Sequence, residues 1–550
     1  MLSTLSLLLC TSIDLPAQSA YDQWLAIGID APASLDAALK MPNAPPLLEH
    51  AFESIRSDWA RIGKILQAQP TGHLGHMPNC GAFGSDFGIM LAWSAICARL
   101  ANEPRRTLVI CDDPWLFRHL ALGPGVEAGR PPPIWWPRTK RLIRGYLARI
   151  KVALSLFRVR IGVESLRNNI ASGDPVILVY GHPNSDAEGH DAYFGDLMQR
   201  IPTLKRLLHT DAGLGVSQRL GSDRRTASLH AWGRLSAVIK VPFQRWRADS
   251  NIEAGKWRWL IDRSASIENS GGGPAMNFWQ HHCQRMFLAD AKPATLCWPW
   301  ENHGWERDLC RAATPQPTKT IGYQHTVIGP HQFNYDTETN IDGTASLPDI
   351  IACDGPAYRD ELAAWGAPAD RLHILGALRF TRRAPAYDPD GAIFVPLSAI
   401  RTAAQAQLQA AERFVDAGHT VLVKPHPMYP LPVPARTNMS ETKTGLAAQT
   451  QLKLVVFASG ASGLDAVLAG VPTVRLQVDG LISINVLPSF IDLTTTTLET
   501  LQAVIEQPPA PVNVEWDKIL SDPDFDAWNQ LLTDAKTPLN TTSTETQAGA

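Results

Sequence analysis

The sequence predicts an α/β protein of two doubly wound parallel-sheet domains that face a central cleft. Three observations carry this. From residue 320 onward, short apolar runs of strand length alternate with helical segments, the pattern of βαβ units. The first half alternates in the same way, less regularly. Between the halves, Thr314-Pro-Gln-Pro-Thr-Lys319 has linker composition. At 550 residues the chain is also too long for one core, since domains run to roughly 100–200 residues.

In chain order, residues 1–70 read as an N-terminal extension with helical character, and 71–315 as the first domain. That domain opens on Gly81, Gly84 and Gly88, a loose glycine loop before a helical run at 89–102 and a strand at 107–111. The loop does not match GxGxxG, so no dinucleotide site is read there. Pro131 to Pro133 break the chain before a basic amphipathic insert at about 134–167. A buried strand at 175–180 ends in the loop GHPNSD. A helix at 275–290 leads to a strand at 294–298. The second domain, 320–510, has strands at 320–324, 349–353, 372–375, 392–396, 420–423, 452–458 and 473–476. Helices at 356–365, 403–417 and 463–469 fall between them. Residues 511–535 predict a C-terminal helix, and 536–550 a polar, disordered tail.

Composition excludes several classes. With 45% hydrophobic and 19% charged residues, the chain folds as a globular protein. Its 50 basic and 53 acidic residues give a net charge of −3, which argues against a general nucleic-acid binder. No apolar run approaches the ~18 residues of a spanning helix. The start, MLSTLSLLLC, is apolar, but the first positive residue is Lys40, so no secretory leader is expected. The eight cysteines show no CxxC spacing and read as reduced, buried thiols of a cytoplasmic protein. His281, His282 and Cys283 are adjacent and would point to different faces of a helix, so no metal site is read there.

The chemistry concentrates at two strand ends of the second domain. One strand runs into Lys424-Pro425-His426-Pro427, where two prolines fix the backbone around an ammonium and an imidazole. About thirty residues on, the next runs into Ser459-Gly460-Ala461-Ser462-Gly463 and a helix. Small residues let a phosphate approach the backbone, and hydroxyls and free N–H groups would hold it. The competing reading is loop punctuation, with Ser462 as an N-cap.

These motifs, with the continuation SGASGLDAVLAGVPTV, resemble the donor half of GT-B glycosyltransferases of bacterial surface polysaccharides (capsule and lipopolysaccharide type). The families most similar in style are transferases of CMP-linked ulosonic acids, Kdo and sialic acids, and CDP-glycerol glycerophosphotransferases. Trp298-Pro-Trp300-Glu301-Asn302-His303-Gly304-Trp305-Glu306 resembles the ENxxWE block of surface-carbohydrate biosynthesis proteins. Residues 191–197 and Gly322-Tyr323-Gln324-His325-Thr326 resemble their style too.

The resemblance implies two Rossmann-like domains, with 71–315 on the acceptor side and 320–510 binding the nucleotide-sugar donor, a cytidine one. It implies that Lys424, His426, Pro427, Ser459, Gly460, Ser462 and Gly463 contact the donor nucleotide or phosphate. Glu301 is the candidate base, its pKa raised by flanking tryptophans, and Asp191 is a rival. Glu301 and Glu306 pairing with Arg307 or capping a helix is the competing reading. Gln324, His325, Arg379 and Asn302 are further cleft candidates. No DxD motif is convincing, and GT-B enzymes generally meet the leaving phosphate with side chains, so no metal and no cofactor beyond the nucleotide-sugar co-substrate is expected. CDP-glycerol-type polyol-phosphate transfer and a non-catalytic sugar-binding or assembly role remain the alternatives.

From Arg138 to Arg160 there are eight Lys or Arg residues and no acid, interleaved with apolar residues. Such a helix suits an anionic membrane surface and a lipid-linked acceptor; packing on its own domain is the other reading. The expected location is the cytoplasm, with contact at the inner face of the plasma membrane left open.

Overall fold

The computed structural model describes residues 6–82, 84–249, 255–427 and 429–534. These residues build three sheets, and every ladder between their strands is parallel. The first comprises β1 (Leu7–Cys10), β2 (Gln23–Ile27), β3 (Thr107–Cys111) and β4 (Val126–Ala128), in the order β2-β3-β1-β4. Residues 1–70 are therefore more than a helical extension: two of their segments pair with strands more than 80 residues downstream. β1 is the apolar LLLC of the chain start, buried along its whole length.

The second sheet holds β5 (Pro175–Val179), β6 (Lys205–Leu208), β7 (Thr226–Ser228), β8 (Thr295–Pro299), β9 (Lys319–Gln324), β10 (Ile350–Cys353) and β11 (Leu372–Ile374). The third holds β12 (Tyr387–Pro396), β13 (Val421–Lys424), β14 (Met439–Glu441), β15 (Leu452–Phe457), β16 (Thr473–Leu476) and β17 (Thr495–Thr496). Their orders are β11-β10-β9-β8-β5-β6-β7 and β14-β13-β12-β15-β16-β17. Counted from the first strand of each sheet, the second runs 3-2-1-4-5-6-7 and the third 3-2-1-4-5-6, the doubly wound order of Rossmann-like domains. Two such domains are the architecture the sequence predicts. The central strands β5 and β8 are largely apolar and buried because helices cover both faces.

The boundary between these domains differs from the expected one. β8 and β9 are neighbours in one sheet, paired Thr295↔Lys319 to Pro299↔Tyr323. The segment at 314–319 is thus an ordinary turn inside the middle domain, and β9 to β11 belong to that domain. The crossing to the C-terminal domain falls between β11 and β12. After β17 the chain returns, and the helix Phe525–Thr533 packs on the middle domain, with Trp528 fully buried and edge-on to Tyr323 at 5.4 Å. This helix and the short Trp516–Ile519 occupy the predicted C-terminal helical region. The predicted tail lies outside the described residues.

The helix Ala44–Ser54 ties the N-terminal sheet to both domains. Glu49, buried, accepts Arg475 Nη1 and Nη2 at 2.7 and 2.8 Å and Gln477 Nε2 at 2.7 Å, all from the end of β16. One turn later, Glu53 accepts His331 Nε2 of the middle domain at 3.1 Å, and the His331 Nδ1 accepts Asn485 N–H.

The basic insert is a single helix, Trp135–Gly162. Its inner side is held by Arg149, which donates to the carbonyls of Pro242 and Asn269 at 3.0 and 2.9 Å. A Cβ at Gly145 would lie 1.8 Å from the Asn269 carbonyl oxygen, so only glycine permits this approach. Among the described residues no helix is long and apolar enough to cross a membrane.

Candidate functional site

Ligands of open parallel sheets bind outside the carboxyl ends of the strands, where the strand order reverses. In the C-terminal domain that point lies between β12 and β15. Ser398, just after β12, and Ser459, just after β15, meet there, Oγ to Oγ, at 2.8 Å. Gln407, on the Ala- and Gln-rich helix Arg401–Asp416, braces the first: its Oε1 accepts Ser398 N–H at 2.8 Å and its Nε2 donates to Pro396 O at 2.7 Å. On the far side of β12, β13 delivers Lys424 and His426 to the same edge. Strand spacing of ~4.8 Å puts the β13 and β15 tips roughly 10 Å apart, the reach of a phosphate-bearing ligand across both. His426 is half-buried, stacks on Tyr429 with ring centroids 5.7 Å apart, and has its pKa lowered by burial and by Lys424.

The turn 459–463 is mixed in purpose. Gly460 has φ +93°, and an added Cβ would meet nothing within 4 Å, so this glycine faces open space. Gly463 serves packing instead: its Cβ would lie 2.5 Å from the Phe457 ring. Ser462 begins the helix Ser462–Leu468 and is partly exposed, as is Ser459. Pro427 is exposed and ends the β13 loop.

In the middle domain the order reverses between β5 and β8. β8 runs into Trp300 and Glu301, and β9 beside it into His325. The Glu301 side chain is 32% exposed; its Oε2 accepts His303 Nε2 at 2.9 Å, and its Oε1 lies 3.8 Å from His325 Nε2. Burial alone would raise the Glu301 pKa, as the sequence suggested. The His303 hydrogen bond and the charges of His303, His325 and His76 outweigh it and hold the carboxyl at about 2. Burial pushes His325 down to about 4. Neither acid pairs with Arg307. Glu306 closes a capping box, accepting Glu301 and His303 N–H at 3.0 and 3.1 Å, and Arg307 donates to Asn302, Asn79 and Thr339.

Arg379 joins the two regions. It lies on the crossing between the domains, exposed, over the Tyr193 ring at 5.5 Å, and its Nη1 donates to His325 O at 3.1 Å. Four residues on, Arg383 pairs with Asp465 of the helix after Ser459 at 3.0 Å. Burial raises the Asp465 pKa, and Arg383, then Arg379 and Lys424, oppose it. The two strand-end sites thus share one electrostatic neighbourhood.

Other predicted residues point elsewhere. The Asp191 side chain is fully buried, accepts Tyr193 N–H at 2.9 Å and Ser185 Oγ at 3.2 Å, and lies 3.6 Å from Arg206; no substrate proton reaches it. Gln324 is buried, donating to Thr326 O and accepting Asp354 N–H. Asn302 is buried at φ +55°, where Asn is tolerated, and donates to Asn334 O at 2.9 Å. Both shape the loops beneath the site. Gly81 and Gly88 serve packing: each approaches Phe52 closely.

Sequence reading missed Ser398, whose signal was available: a strand, then Pro-Leu-Ser, then a helix, the same arrangement as the SGAS turn. It also missed a cavity of about 650 Å³ between the N-terminal sheet and the C-terminal domain. Gly28 to Ala31 after β2, Gln405 and Gln409, and Gln477 to Leu481 after β16 line it. Lys40 also lines it, paired with Asp479 and Glu499 at 2.5 and 2.7 Å, and none of the predicted site residues does.

No family model matches the sequence, and no curated protein matches it. Among solved structures, the glycotransferase of kitacinnamycin is similar over 66% of this chain and 96% of its own, at 10% identity and TM-score 0.33. UGT89C1 of Arabidopsis thaliana complexed with quercetin is similar over 60% and 89%, at 12% identity and TM-score 0.37. UDP-GlcNAc 2-epimerase from Neisseria meningitidis bound to UDP-GlcNAc is similar over 55% and 81%, at 11% identity and TM-score 0.30. The fold stands on the strand order itself.

Proposed function

We propose that the protein is a glycosyltransferase that moves a sugar from a nucleotide-activated donor to a glycan or lipid-linked acceptor, in assembly of bacterial surface carbohydrate. The observation that carries this is the pair of reversal points bridged by Arg379: hydroxyls, an ammonium and an imidazole at one, a partly open carboxylate flanked by imidazoles at the other. The donor phosphate lies against Ser398, Ser459 and Ser462, with Lys424 and His426 meeting the charge that develops as the sugar bond breaks. Glu301 Oε1 takes the proton of the acceptor hydroxyl while Oε2 stays held by His303. The donor in this reading is a CMP-linked ulosonic acid, whose carboxylate adds a negative charge for the Arg379 fork.

Thermal unfolding with CMP-, CDP-, UDP- and GDP-linked donors tests this. A CMP-sugar is expected to raise the midpoint, by about 2.7 kcal/mol of stabilisation at a hundredfold excess over Kd, and the double variant Ser398→Ala/Ser459→Ala to lose most of the effect. A response to CDP-glycerol alone selects polyol-phosphate transfer. No response to any nucleotide points to a non-catalytic sugar-binding or assembly protein.

The acceptor side of the reading includes a membrane surface. On the helix Trp135–Gly162, Leu156 and Val159 are buried, but other apolar residues face outward, Ile143 57%, Leu147 62% and Leu154 60% exposed, and Ile239 nearby is 73% exposed. Arg138, Lys140, Arg144, Lys151 and Arg158 are exposed among them, whereas Arg149 and Arg160 are bonded inward. Exposed apolar and cationic residues on one helix without an acid complement an anionic bilayer. Reversing Arg144, Lys151 and Arg158 to Glu is expected to weaken binding to phosphatidylglycerol vesicles more than about a hundredfold, at ~1 kcal/mol per charge near the surface. An unchanged pellet in co-sedimentation would sink this part.

A further inference from the structure

The thiol of Cys80, close to Glu301, has no part in the transfer chemistry above. Cys80 Sγ lies 3.4 Å from His76 Nε2 and 4.0 Å from His303 Nδ1. One ligand atom from each of the three lies within 4.8 Å of the others. The turn Met77–Asn79 sets His76 and Cys80 on either side of itself, and the end of β8 brings in His303 as the cap of the helix Gly304–Ala313. Other buried thiols, Cys97 and Cys283 among them, lie in the apolar core. Cys80 instead faces two imidazoles.

We infer that His76, Cys80 and His303 hold a divalent cation of the zinc class. One thiolate and two imidazoles form the donor set of a borderline-soft metal. Bonds of ~2.3 Å to sulfur and ~2.0–2.1 Å to nitrogen give tetrahedral ligand spacings of roughly 3.3–3.6 Å. The observed 3.4 Å meets this, and the 4.0 Å closes with a small movement of the His303 ring.

The outer partners are in place too. His303 Nε2–H donates to Glu301 Oε2 at 2.9 Å, the carboxylate–histidine pairing that turns Nδ1 toward the cation. The His76 backbone N–H donates to Glu268 Oε1 at 2.5 Å and fixes the turn. The His303 ring also accepts the Glu306 N–H as a helix cap. Metal binding displaces that bond, and the Glu306 N–H keeps its bond to His303 O at 3.0 Å. Glu268 is engaged with the backbone of His76 and Met77, which leaves the fourth position to water. The cation would pin the 76–80 turn to the end of β8 and fix the ring that orients Glu301.

Metal analysis of the full chain, expressed with added zinc and dialysed, tests the inference without any nucleotide or acceptor, so its failure is separate from failure of the transfer reading. The expected result is close to one zinc per chain, lowered about tenfold or more by Cys80→Ser and by His76→Gln. Cobalt exchanged into the unaltered chain should show thiolate-to-cobalt charge-transfer absorption that Cys80→Ser abolishes. If Cys80→Ser fails to fold, His76→Gln and the cobalt spectrum of the unaltered chain decide. Less than a tenth of an equivalent of zinc with no charge-transfer band overturns the inference. So does alkylation of Cys80 by iodoacetamide in the chelator-stripped chain at a rate that added zinc does not change.

Discussion

Glu301→Gln is expected to lower kcat by about 10²–10⁴-fold while leaving the thermal response to the donor unchanged. The amide is nearly isosteric with the carboxylate. Its oxygen still accepts from His303 Nε2–H, so the ring stays where the carboxylate held it. What is lost is the oxygen that faces His325 and the outside, the one free to take a proton. The donor groups lie in the other domain and are untouched. Initial rates of sugar transfer, with donor binding followed separately, read the two effects apart. Near-normal turnover would remove Glu301 from the chemistry, and loss of donor binding would mean that its role is to hold the cleft.

Glu49→Ala is expected to destabilise the chain by about 3–5 kcal/mol, because it strands the buried Arg475 guanidinium without its counter-charge. The pair is sealed on both sides, with side chains 7% and 9% exposed, so solvent cannot take over the missing partner. Pairing the change with Arg475→Met should restore much of the loss, since removing both charges leaves no buried ion. Urea unfolding followed by tryptophan fluorescence and by circular dichroism measures this. The same loss in the double variant would show that packing of the helix, and not the ion pair, carries the stability.

The strands were legible where four or more apolar residues stand together between helices, as in β5, β12 and β15, because burial on both faces writes a continuous run. β1 and β2 were not, since their partners lie far along the chain and no local alternation announces them. The domain boundary was misread because Thr314 to Lys319 has the composition of any turn, and only the pairing of β8 with β9 shows that the sheet continues. At the site, sequence placed Glu301, His325, Lys424 and Ser459 at strand ends. It could not tell which polar side chain turns outward. Gln324 and Asn302 sit at the same ends and turn inward to satisfy backbone groups, a choice set by Asp354 and Asn334, 30 and 32 residues away. Cys80 and His303 are more than 220 positions apart, beyond any spacing rule.

The helix Ala44–Ser54 grips the C-terminal domain through Glu49 and the middle domain through Glu53. Two lobes joined only at one crossing would be free to swing like a hinge. Here a third body bolts them at a fixed angle, so the gap between them has a set gauge. In the proposed transfer, substrates would then be admitted by shifts of individual loops and side chains, Arg379 foremost, and turnover would respond more to those loops than to any rocking of whole lobes.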